Sequence, residues 1–137
     1  MQLNIPRDIE QQCAGQISAV FDTIPEVRGI EAGTRIAVDQ NGQTLDEFVR
    51  LIASGCQNET PKTTSWNITV EGWAQSETRA ARITSLALAA LENAHGELFG
   101  YRLLGGAGND PEPDYPHMSR YSATVEMRSR NIITDNH

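Results

Sequence analysis

Residues Thr63 to Ala74 alternate more strictly than any other part of the chain. Trp66, Ile68, Val70 and Gly72 fall on one side, Asn67, Thr69, Glu71 and Trp73 on the other. Side chains in a strand point to opposite faces in turn, so this stretch reads as a strand with one buried and one wetter face. A strand of that kind needs neighbouring strands and a covering layer. The layer follows at once. Ser76 is placed to cap a helix, and Glu77 in the first turn favours the helix dipole. Ala80, Ile83, Ala87, Ala90, Leu91 and Ala94 recur at three and four residues as an inner stripe, with Arg79 and Arg82 outside it. The many alanines permit close approach to a sheet, and Gly96 predicts a stop near His95.

The rest of the chain is organised around this unit. A first helix is expected from Pro6, a residue suited to the first helical position, with Asn4 or Ile5 before it. Its stripe is Ile9, Cys13, Ile17, Val20, Phe21 and Ile24, and Pro25 ends it. Thr34 to Val38 is predicted as a short strand and Gln40-Asn41-Gly42 as a turn. Glu47 to Ala53 reads as a strand, although Asp46 and Glu47 would also suit the opening of a helix. The polar segment Gln57 to Lys62 makes this run and the next a long hairpin with an exposed tip. Tyr101 to Leu104 is a further strand. Arg120 to Arg130 is the last, with Tyr121, Ala123, Val125 and Met127 on one face. Between them, Gly105 to Pro116 reads as an irregular loop. The hairpin tip at 57–62 and the loop 105–118 offer little to bury and are expected to be poorly ordered in an isolated subunit. Residues 131–137 read as a polar, frayed tail. The expected architecture is a single α+β domain over 1–137. It has a mainly antiparallel sheet of about four to five strands with two helices packed on one face. The expected core sets Trp66, Ile68, Val70, Ala123 and Val125 against Ile17, Val20, Phe21, Ile83, Ala87 and Leu91.

A search for chemistry returns no catalytic, cofactor-binding or metal-ligating set. Eleven Lys and Arg stand against eighteen Asp and Glu, a net charge of −7, which argues against a phosphate-gripping surface. Cys13 and Cys56 fit no paired-ligand spacing and read as reduced, buried thiols of a cytosolic protein. His95, His117 and His137 are isolated from one another and from the cysteines. Asp114, three residues before His117, reads as part of a solvated turn and not as an acid–base pair. The run Gly105-Gly106-Ala107-Gly108 is followed by neither a Lys nor a helix, so it is no phosphate loop. Ser54-Gly55-Cys56 is no nucleophile elbow. No stretch approaches the roughly 20 apolar residues of a membrane span. Trp73, on the polar face at the strand exit, reads either as an exposed protein-contact residue or as a cover for the start of the second helix.

The combination of segments carries a resemblance. Thr64-Ser65-Trp66-Asn67-Ile68-Thr69-Val70-Glu71-Gly72-Trp73-Ala74 runs directly into Gln75-Ser76-Glu77-Thr78-Arg79-Ala80-Ala81 and a helix. A Gly- and Pro-rich loop then ends in Asp114-Tyr115-Pro116, before Arg120-Tyr121-Ser122-Ala123-Thr124-Val125-Glu126-Met127-Arg128-Ser129-Arg130. This resembles the tail terminator family of long-tailed bacteriophages, also called tail completion or minor tail protein U-like proteins. The likeness covers roughly residues 5–130 in order of elements and is specific from about 64 to 130. It implies an α+β subunit, without catalytic residues or cofactors, that forms a hexameric ring at the head-proximal end of the tail tube. The implied partners are other copies of itself, the major tail tube protein and a head-completion or connector protein. DNA would pass through the channel without specific binding, and no membrane is involved. The implied location is the tail–head junction of the virion, after assembly in the cytoplasm of the bacterial host. Other neck or tail proteins, such as head-closure or tube subunits, share strand-rich ring-forming designs and are the alternative reading. A small cytosolic α+β enzyme or ligand-binding domain is the remaining one. With a long hairpin and a loop to serve two faces, the candidate interface residues are Trp73, Asn58, Glu59, Lys62, Asp110, Asp114 and Arg120.

Overall fold

A computed structural model describes residues 2–60 and 62–135. In chain order the elements are β1 (Gln2–Ile5), α1 (Ile9–Phe21), a single 3-10 turn (Pro25–Val27), β2 (Glu31–Gly33), β3 (Phe48–Thr60), β4 (Thr63–Ala74), α2 (Glu77–Glu92), β5 (Leu98–Asn109), β6 (Ser119–Arg130) and β7 (Ile132–Asp135). Five strands form one sheet in the order β2-β3-β4-β6-β5. Its pairs are antiparallel except β2 with β3. Strands β1 and β7 make a separate antiparallel ribbon. The fold is α+β with a mostly antiparallel sheet, as the sequence predicts. Glu47 to Ala53 is strand and not helix, and β4 covers the expected span.

Strand β4 is central, paired with β3 on one side and with β6 over its whole length on the other. Its parity divides the core. Ile68 and Val70 face the helices and are fully buried there with Val49, Leu51, Val125 and Met127. Above them lie Ile9, Cys13, Ile17 and Phe21 of α1 and Ala80, Ile83, Ala87, Ala90 and Leu91 of α2. Val20 and Trp66 pack on this core from its margin. Complete burial of one Ile or Leu stabilises by about 1.5–3 kcal/mol, so these stripes outweigh any local propensity in holding the helices.

Three helix boundaries differ from expectation, one of them the end of α2, which stops at Glu92 and leaves Ala94 and His95 outside. Helix α1 starts after Asp8, whose carboxylate accepts a hydrogen bond from the Gln11 N–H at 3.1 Å; Pro6 lies outside it. The helix stops at Phe21, and Pro25 opens the 3-10 turn. Ser76 caps α2 as predicted, accepting from the Arg79 N–H at 3.2 Å. Helix α2 and the sheet come close together at Gly72. A Cβ there would lie 2.2 Å from Thr84 Oγ1 and 2.8 Å from both Ala80 O and Thr84 N.

Four further expectations are overturned. Thr34 to Val38 is not a strand of the sheet; β2 lies three residues earlier and runs parallel to β3. The chain then leaves the edge and folds into a small loop, where Leu45 N donates to Ala37 O and Asp39 N to Gln43 O. The turn at 40–42 is present, with Gly42 at a positive φ. Gly105 to Asn109 belongs to β5, which pairs with β6 through several bulges and does not dissolve into a loop after Leu104. Residues 110–118 are also held down: Met118 is buried and Tyr115 packs on Trp73. The tail is not frayed at 131–135. Asn131 is buried, its N–H donates to Lys62 O and its side chain accepts from Thr64 Oγ1 at 2.7 Å, and β7 then pairs with β1. The expected frayed ends at 136 and 137 lie outside the described residues. Finally, Cys56 is exposed: it pairs with Trp66 in the outer half of β3, where residues 54–57 are exposed on both faces.

Two predictions follow from this packing. Gly72→Ala should cost about 2–3 kcal/mol, since relief requires moving helix backbone. A thermal melt at the wild-type temperature would show that α2 can back away. The second concerns the thiols. Burial first, and the nearby Glu10 carboxylate second, raise the Cys13 thiol to about 12. In the unfolded chain a cysteine ionises near pH 8.5. The folded chain thus keeps a proton that the unfolded chain loses. This contribution is full below that pH and falls away as pH rises toward 12. Cys13→Val should flatten the alkaline decline in Tm, and a thiol reagent should titrate Cys56 at once and Cys13 only on unfolding.

Candidate functional site

The face of the sheet away from the helices is covered at one end by two loops, 34–47 and 110–118. The floor is a pair of rings. Phe48 of β3 and Trp73 of β4 are register partners and stack with centroids 5.2 Å apart and planes at 15°. Tyr115 meets Trp73 edge-on at 5.7 Å. Met118, Ile36, Ala37, Leu45 and Tyr115 close a second small core around the two rings. Thr44 and His117 join the loops by a side-chain hydrogen bond of 3.1 Å.

A buried ionic cluster fastens this cover. Glu71 sits two residues before Trp73 on the same face and accepts from its indole N–H at 3.1 Å. Its carboxylate lies 3.8 Å from Arg50 and 3.5 Å from Arg120. Arg120 also reaches the Asp110 carboxylate at 3.2 Å and that of Glu112 at 3.4 Å, and donates to Asp110 O at 2.7 Å. Its guanidinium stands over the Trp73 ring at 5.4 Å. With its side chain only 13% exposed, Arg120 is an internal fastener. Ser122 adds a hydrogen bond to Asp110 at 3.0 Å. At the neighbouring corner, Arg79 bonds to Glu47 and Glu26, and Arg82 to Glu26, tying the first turns of α2 to the 3-10 turn. Hydrogen bonding from Arg82 holds the exposed Glu26 carboxyl below its ordinary value.

The candidate interface residues fall at two opposite ends. Trp73, Asp110, Asp114 and Arg120 belong to the end just described. Trp73 is fully buried, on the face away from α2; it is neither an exposed contact nor a cover for that helix. Asp110 is half exposed in the Arg120 cluster, and Asp114 is exposed. Lys62 is exposed at the other end, beside the β3–β4 turn. The side chains of Asn58 and Glu59 lie outside the described residues. Glu71, Arg50, Phe48, Tyr115 and Glu112 were not foreseen as members of the cluster. Strand parity does put Glu71 and Trp73 together, but Arg120 reaches them only through the register of β6 with β4. Among the described residues no three of His, Cys, Asp and Glu are grouped to hold a metal ion, and no helix is long and apolar enough to cross a membrane.

The arrangement is suited to presenting a firm loop surface. Arg120→Ala strands the buried Glu71 carboxylate with only the more distant Arg50, and should cost about 2–3 kcal/mol. Adding Glu71→Gln should recover part of that loss, because the amide still accepts from Trp73 without burying a charge. Thermal unfolding of the single and double variants, with tryptophan emission as a reporter of the loop, checks both statements. No protein-family model matches the sequence, and no curated protein matches it.

Proposed function

We propose that the chain is a structural assembly protein of a long-tailed bacteriophage: a tail terminator. It closes as a hexameric ring on the head-proximal end of the tail tube, stops tube growth and offers the surface that joins the filled head. The phage reading rests on the resemblance over Thr64 to Arg130, a span that folds as β4, α2, β5 and β6. The resemblance implies two helices laid on an antiparallel sheet, and α1 and α2 lie on one face of such a sheet.

The observation that carries the assembly reading is where exposed apolar side chains gather. Among the described residues, the large ones other than Val38 fall at two places. Leu3, Ile5, Ile132 and Ile133 line the β1–β7 ribbon, and Leu103 and Leu104 sit on β5 at the sheet edge. Apolar residues grouped in this way mark contact surfaces, whereas scattered ones carry no such meaning. The net charge of −7 per chain gives a ring of several copies a strongly acidic character, which lets DNA pass without adhering.

A tube-polymerisation assay with purified tube protein tests this reading. With the chain present, tubes should be shorter and carry a ring at one end, visible by electron microscopy with a tagged copy. The chain should show no measurable DNA binding at physiological salt. Unchanged tube lengths together with unlabelled ends would remove the terminator assignment.

A further inference from the structure

We infer that copies of this chain join edge to edge, the outer edge of β3 beyond Ala53 in one copy adding antiparallel to the outer edge of β5 in the next. This deepens the assembly reading and rests on it for the number of copies, though not for the contact.

The sheet is open on both sides. Among the described residues, β3 has a partner on its outer side only at Phe48–Arg50, where β2 lies, and β5 has none on its outer side. The segment Ser54–Thr60 alone leaves roughly 23 Å of unpaired strand. One outward group shows what the edge lacks: the Ala53 N–H donates to the Glu10 carboxylate at 3.1 Å, a side chain standing where a strand carbonyl would. An exposed edge of this length is a template for another strand.

Charge is distributed contrary to the usual protection of edges. Folded proteins normally put Lys, other charges or Pro on an open edge to stop it pairing. Here most strand charges sit on the inner strands, Glu71 on β4 and Arg120, Glu126, Arg128 and Arg130 on β6, against Arg50 and Glu59 on β3 and Arg102 on β5. The edge stretches are uncharged, Leu51-Ile52-Ala53-Ser54-Gly55-Cys56-Gln57 on β3 and Leu103-Leu104-Gly105-Gly106-Ala107-Gly108-Asn109 on β5. Leu103 and Leu104 are 47% and 44% exposed, and cross-strand neighbours would cover them.

Direction and curvature also fit a second copy. Strands β3 and β6 are each antiparallel to β4, and β5 is antiparallel to β6, so the two outer strands run in opposite senses. A second copy turned about an axis along the strands brings its β3 antiparallel to the β5 of the first. Contacts of this head-to-tail kind close into a ring when the rotation per copy is right. The bulges in β5 and the one after Ser54 in β3 bend the edges, as a sheet curved through several copies requires.

Cys56 lies on the β3 edge and is exposed, while Cys13 is buried with its thiol pushed up to about 12. The chain therefore carries a single reactive thiol at the proposed contact. Tyr101→Cys, Leu103→Cys and Gly105→Cys, each in turn, place a second thiol along β5. Each variant is oxidised mildly, both alone and with tubes present. At least one should give disulfide-linked dimers and a ladder of larger products, at ten-fold or more the yield of the same variant carrying Cys56→Ser. Adding Leu103→Lys to a linking variant other than Leu103→Cys should lower that yield at least ten-fold while leaving the thermal melt unchanged. The inference is overturned if none of the three variants links above its Cys56→Ser control in either condition while Cys56 still reacts with a small thiol reagent. Tubes that shorten without cross-links would sink the contact and leave the terminator reading in place. Cross-links without tube shortening would do the reverse.

Discussion

Helix α2 touches strand β4 where glycine is the only side chain that fits. At Gly72 the helix backbone comes so near the strand that the Thr84 hydroxyl lies within hydrogen-bond distance of both Ala80 O, in its own helix, and Tyr121 O, in β6. The position of α2 over β4 and β6 follows from this contact. Helix α1 is then set against α2 and the sheet, with Gln16 donating to Ala90 O and Ser129 donating to Gln12. Because both helices gather on one face, the other face of β4 is left to be covered by something else. Phe48, Trp73 and the two loops do so.

The two faces are held by different physics. The helix side is dry and apolar, and its stability scales with buried area. The loop side is held by stacked rings and by one arginine serving three carboxylates, an arrangement strong in geometry but costly to break. A surface fastened in that way is suited to the contact role proposed for it.

Much of this was legible in the sequence where the signal is local. The alternation of Thr63–Ala74 and the Ser76 cap set β4 and the start of α2 in the right places. The misreadings share a cause, which is dependence on a distant partner. Thr34 to Val38 alternates like a strand, but no strand lies beside it; Ile36 and Ala37 serve instead as lids for Phe48 and Trp73. Gly105 to Asn109 has the composition of a loop and is a strand because β6 lies next to it. Residues 132–135 are ordered by β1, at the far end of the sequence. Parity placed Trp73 on the correct face, but its burial depends on Tyr115 and Met118, which only the folded loop delivers.

Strand β6 is the latest strand of the large sheet to appear in the chain, yet it lies between β4 and β5. As the protein leaves the ribosome, α2 has only half a sheet to settle on, and β5 emerges with no strand to receive it. During that interval the uncharged stretch Leu103 to Asn109 is unpaired on both sides, and the Trp73 ring has no arginine above it. Pairing between distant segments is slow, and strand edges left bare in the meantime are where aggregation generally begins. The nascent chain's neighbours on the same message are then other nascent copies bearing the same bare strand. For this topology the last strand of the large sheet to be made is the one that joins its two halves.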